Sequence, residues 1–177
     1  MLDVPMIDNV GDMLQMAVMS YNIPPKALAM QAKCSTSHIY SAMSNMRSLP
    51  RKALNEIAKN GVLGAATVAM HATGFSRLFA YLKVDRHVQS MIVMCGDMDE
   101  KVADLRDKLP KMLVNKNCRN DLSDDEVGHL YMTAKTILDR ITMDLNFVSE
   151  LEKGYGLQLA GYMEGKEKPP VLEHRRL

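Results

Sequence analysis

Between Pro25 and Ser44 the chain reads PKALAMQAKCSTSHIYSAMS, and the later half of that stretch is crowded with hydrogen-bonding side chains. Thr36, Ser37, His38, Tyr40, Ser41 and, one residue further on, Asn45 can donate to or accept from base edges and phosphates. Around them stand Lys26, Lys33, Arg47, Arg51 and Lys52, which together with the Ser35 hydroxyl suit phosphate oxygens. From residue 20 to 60 six basic side chains face Glu56 alone. From 97 to 152 the balance reverses, to 13 acidic against eight basic. Two modules with different partners follow from that division, and only the first suits a polyanion.

Other chemistries find little to work with. The chain has no G-x-x-x-x-G-K-[ST], no H-E-x-x-H and no G-x-S-x-G, so no enzyme is expected. No two of His38, His71, His87, His129 and His174 are three or four residues apart, and Cys34, Cys95 and Cys118 form no C-x-x-C. Neither a metal site nor any other cofactor is therefore expected, and the cysteines read as reduced thiols. The richest apolar run, Val62 to Ala72, is too short for a membrane span and holds His71. An acidic start, Met1-Leu2-Asp3, is unlike a signal peptide. The expectation is a cytoplasmic protein, in a bacterial cytosol or nucleoid, with no membrane partner.

These side chains need elements to position them. With 16 Met, no Trp and 5% aromatic residues in 177, the composition favours an all-α fold. Val10, Met13, Leu14, Ala17, Val18 and Tyr21 mark an amphipathic helix closed near Asn22. Ile23-Pro24-Pro25 breaks it, and Pro25 suits the first position of a second helix carrying Leu28, Ala29 and Ala32. After a turn at Lys33-Cys34, one of Ser35, Thr36 and Ser37 caps a third helix with Ile39, Ala42 and Met43 inside. A fourth opens at Leu49-Pro50, buries Ala53, Leu54, Ile57 and Ala58, and stops at Asn60-Gly61. Residues 1–62 are thus read as one bundle, and 63–97 as a linking helical region. Short helices are expected there around 65–72 and 76–82, while 89–95 fits strand or helix and the structure of 84–97 stays open.

At residues 8–60 the chain resembles the lambda-repressor-like, or Cro/CI-type, helix-turn-helix family, with small Ala29 and apolar Ile39 ten residues apart at the crossing of two helices. More faintly, the whole chain is similar in order to phage CII-type transcription regulators. The resemblance implies sequence-specific operator or promoter binding as a symmetric oligomer, with the second helix of the motif in the major groove. Base contact then falls on Thr36, Ser37, His38, Tyr40, Ser41 and Asn45, and RNA polymerase is a further conceivable partner. Two departures stand out. Lys33 occupies the turn position usually given to Gly, at about 1 kcal/mol if left-handed, and Pro25 stands where many relatives have Gln. A plainer reading of the same residues remains: Thr36 or Ser37 as caps only, His38 and the lysines as solvated surface, and a helical interaction module or antirepressor that binds no DNA.

The last third carries the assembly. Met98, Val102, Leu105, Leu109 and Met112 predict a helix kinked or restarted at Pro110. Ser123-Asp124-Asp125-Glu126 is a capping box. Behind it Val127, Tyr131, Ala134, Leu138, Ile141, Leu145 and Val148 keep a 4-3 spacing, widened by Leu130 and Ile137. A hairpin over 98–153 should join subunits into a helical bundle, a dimer or tetramer, and 154–177, rich in Gly and Pro, should be a flexible tail.

Overall fold

The computed structural model describes residues 4–166. The chain is predominantly helical, and helices α1 to α5 run Val10–Ser20, Pro25–Gln31, Thr36–Met43, Arg51–Ala58 and Gly61–Thr73. Helix α1 has two buried edges. Leu14 and Val18 enter a core with Leu28, Ala29, Ile39, Ala42, Ala53 and Ile57 from α2, α3 and α4. Met13 and Ala17 face the other way, onto Leu63, Ala66 and Met70 of α5. A helix covered on both sides needs a wide apolar stripe, which the Met13–Leu14 and Ala17–Val18 pairs supply.

The expected helix over 76–82 is absent. Gly74, at φ 71°, ends α5 in the left-handed region, and residues 76–79 turn into a short strand, β2, Tyr81–Leu82. Strand β2 pairs antiparallel with β1, Met6–Ile7, in the register Met6 to Leu82 and Ile7 to Tyr81. Helix formation lost because the backbone here is hydrogen-bonded from outside itself, by β1 and by polar side chains from late in the chain.

Helix α6, Val88–Arg106, absorbs residues 89–95 and stops before the restart at Pro110, which lies in the first turn of α7, Leu109–Met112. Helix α8, Asp124–Tyr155, opens with the expected box: Glu126 N–H donates to Ser123 Oγ, and Ser123 N–H to Glu126 Oε2. Glu126 is held below the usual carboxylate range, first by the Lys116 ammonium and then by that backbone bond. Of the segment 154–177, α8 takes the first two residues, α9 spans Leu159–Met163, and 167–177 lie outside the described residues.

Helix α8 is packed through its polar side. Thr133, Thr136, Asp139, Thr142, Asn146, Ser149, Glu150 and Glu152 are buried along it, with Met143 as the apolar exception. Irregular backbone explains the burial of Thr142 and Asn146, while Thr133 and Thr136 donate to carbonyls of their own helix. Asn146 accepts from Leu82 N–H at 2.9 Å and donates to Ala80 O, while Thr142 donates to Leu78 O. Arg86 lies over the Tyr81 ring, 3.9 Å from its centroid, and donates to Leu82 O, Asn146 and Glu150. An irregular segment can be buried only if such partners exist.

Candidate nucleic-acid interface

Helices α2 and α3 approach through Ala29 and Ile39, both fully covered. Lys33 adopts φ 52°, and Cys34 N–H donates to Ala29 O, closing the turn. Ser35 is the cap of α3, its Oγ accepting from His38 N–H at 3.2 Å. With Ile39 and Ala42 turned inward, α3 leaves Ser37 and Tyr40 exposed and Thr36, His38 and Ser41 half-exposed.

Two of the candidate base readers have work inside the fold. His38 Nε2 sits 3.1 Å from the carbonyl oxygen of Ser48, which it is placed to donate to. Asn45 lies beyond the end of α3, at φ 56°. Its Oδ1 accepts from Gly11 N–H at 2.8 Å and its amide donates to Asn9 Oδ1. Asn9 in turn caps α1 by accepting from Asp12 N–H. Gly11 permits this approach, since a Cβ there would meet Asn45 and Met43 O at 2.6 Å. The sequence reading missed this clasp, whose one visible sign is a glycine early in an otherwise good helix.

Three of the cations share a placement at helix starts. Lys26 lies in the first turn of α2, and Arg51 and Lys52 in the first turn of α4. Both helices have a proline at the cap, Pro24 and Pro50, with no side-chain hydrogen bond, and neither α2, α3 nor α4 has an acid in its first turn. The positive end of a helix dipole ordinarily attracts acids. Helix α1, with Asp12, and α8, with Asp124, Asp125 and Glu126, follow that rule. Lys26, Lys33, Arg47, Arg51 and Lys52 are all exposed, and none pairs with an acid among the described residues. Two exposed methionines flank the motif, Met30 on α2 and Met46 between Asn45 and Arg47.

The apolar series of α8 faces away from its own fold. Tyr131, Ala134, Leu138 and Ile141 are exposed, and Val127, Leu130, Ile137, Leu145 and Val148 are half-buried. Phe75, Leu78, Tyr131 and Leu138 line a groove of about 590 Å³ beside this face. No helix among the described residues is long and apolar enough to cross a membrane, and no group of three or more His, Cys, Asp or Glu there could hold a metal ion. No protein-family model, curated protein or solved structure matches the chain.

Proposed function

We propose that this chain is a sequence-specific DNA-binding transcription regulator of phage or prophage type, acting as a symmetric oligomer on operator or promoter DNA. The observation that carries the reading is the charge at the helix starts. Lys26, Arg51 and Lys52 sit at the positive ends of α2 and α4, where they weaken the fold and gain only when an anion arrives. A phosphate backbone brings such anions in series. Between those ends α3 offers hydroxyls at Thr36, Ser37, Tyr40 and Ser41, while the Tyr40 ring and Met46 are apolar surfaces suited to thymine methyls. Asn45 and His38 then act chiefly as struts that fix the end of α3. Assembly through the outward face of α8 provides the second copy that two half-sites require.

The test is a titration of labelled random-sequence duplex from about 50 to 200 mM salt, followed by fluorescence anisotropy. Arg47→Ala with Arg51→Ala is expected to weaken binding to every sequence and to flatten the salt dependence by roughly one unit of slope per lost phosphate contact. An affinity that ignores salt, or that survives both substitutions unchanged, favours a helical module that binds protein instead.

A further inference from the structure

The outward face of α8 has an internal symmetry. Val127, Leu130, Ala134, Ile137, Leu138, Ile141, Leu145 and Val148 keep the same order of intervals when read backwards, about a midpoint between Ile137 and Leu138, and Tyr131, the one member outside that symmetry, falls opposite Asp144. A parallel pair needs only a repeat, whereas a palindrome is what two antiparallel copies need for each apolar residue to meet another. Val127 then lies opposite Val148 of a second copy, Leu130 opposite Leu145, and Ala134 opposite Ile141. We infer that two copies of this chain pair through antiparallel α8 helices on a two-fold axis passing between Ile137 and Leu138. This rests on the oligomeric half of the reading above and is independent of its DNA-binding half.

Charge agrees with that direction. Helix α8 begins with Asp124, Asp125 and Glu126 and carries Lys153 in its last turn. Antiparallel pairing sets the acidic start of each helix near the exposed Lys153 of the other, whose neighbours Glu150 and Glu152 are buried in their own fold, and opposes the two dipoles. Parallel pairing would stack the three acids of one copy on those of its twin.

The size of the face is also adequate. Val127 to Val148 spans about 32 Å of helix. Two contacts fix α6 antiparallel to α8, the ion pair of Arg140 with Asp99 and the approach of His129 Nε2 to Leu105 O. In that arrangement the exposed Ile92, near the start of α6, lies level with the later part of α8. The exposed Phe75 and the Tyr131 side of the neighbouring groove widen this face beyond a single helix, towards the ~800 Å² per partner of a stable interface. On the other flank the groove beside Phe75, Tyr131 and Leu138 lies opposite residues 137–144 of the second copy, so Leu138 and Ile141 are the groups that fill it.

The pairing is tested on the full chain without DNA. With Cys34, Cys95 and Cys118 changed to Ala, Asp124→Cys or Lys153→Cys carries a nitroxide label, and distances between copies are read by pulsed electron resonance. Both sites are exposed. The antiparallel pair places the two labels at position 124 about 40 Å apart, and a label at 124 on one copy within about 20 Å of a label at 153 on the other. A short distance between two labels at 124 would overturn the inference in favour of parallel helices. A one-chain mass for the unsubstituted protein in sedimentation also overturns it. Leu138→Asp with Ile141→Asp is expected to yield one-chain particles of unchanged helical content, and an undiminished mass would place the assembly elsewhere. Since no DNA is present, failure of the salt titration leaves this result standing, and the converse also holds.

Discussion

Glu152 is a buried carboxylate held by hydrogen bonds. Its Oε2 accepts from the Tyr21 hydroxyl and, at 2.8 Å, from Val62 N–H at the start of α5. Asn60, the residue at the cap position of α5, makes no side-chain cap bond, so the anion from α8 satisfies that helix end and its dipole together. Burial, then the bond to Glu152, pushes the Tyr21 phenol above its ordinary range. Glu152→Gln and Tyr21→Phe are each expected to lower unfolding stability by about 1–2 kcal/mol. The double variant should lose less than the two losses added, because both act on one bond. Denaturant midpoints measure this, and strict additivity would show the two groups to be independent. Lys33 tests another residue-scale cost. At φ 52°, Lys33→Gly should gain up to about 1 kcal/mol, seen as a rise of about 2–4 °C in Tm. The same change removes a cation from the proposed interface, so DNA affinity should fall as stability rises. A fall in both would mean that the left-handed turn is not the strained element.

At the scale of the element, α3 and α8 differ in how much of their role a linear pattern can show. Helix α3 has an inner edge of Ile39 and Ala42 and an outer edge of hydroxyls, and that division survives folding because its neighbours α1 and α2 are close in sequence. Thr36→Ala and Tyr40→Phe, made singly, are expected to relax base preference at separate operator positions by about 1–3 kcal/mol each while leaving random-sequence affinity nearly unchanged. Selection from a randomised duplex pool reads this, and an unaltered preference would remove both residues from base contact. Helix α8 was legible in extent, in its capping box and in its apolar spacing. Its packing was not. Thr142 and Asn146 are buried because the backbone at 78–82 needs hydrogen-bond partners, a demand created more than sixty residues away. The same distant bonds replaced the expected helix at 76–82 with a turn and β2. The clasp of Asn45 on Gly11 was hidden for a like reason, since nothing local distinguishes an amide that braces α1 from one that reads a base.

Across the whole molecule, α8 is at once the outer face of one end and a brace for the other. Its apolar side looks outward between Val127 and Val148, while Glu152, one turn further on, grips α5 and Tyr21 of α1. A pair formed along α8 therefore fixes the distance between two copies of α3 through packed helices rather than through a linker. Binding of the second half-site then becomes intramolecular, with a gain of about 10²–10⁴ in affinity that no single copy can have. Leu138→Asp with Ile141→Asp touches neither the cations nor α3. It should nevertheless lower affinity for a two-half-site operator by that factor and cut the salt slope on random duplex by about half, since one copy meets half the phosphates. Leu14, Ile39 and Ile57 lie in the core of α1–α4, remote from the substituted face, so their methyl signals in NMR spectra should keep native dispersion. Operator affinity unchanged in a variant shown to be one chain would mean that each copy reads its site alone, and the paired architecture would then serve something other than DNA recognition.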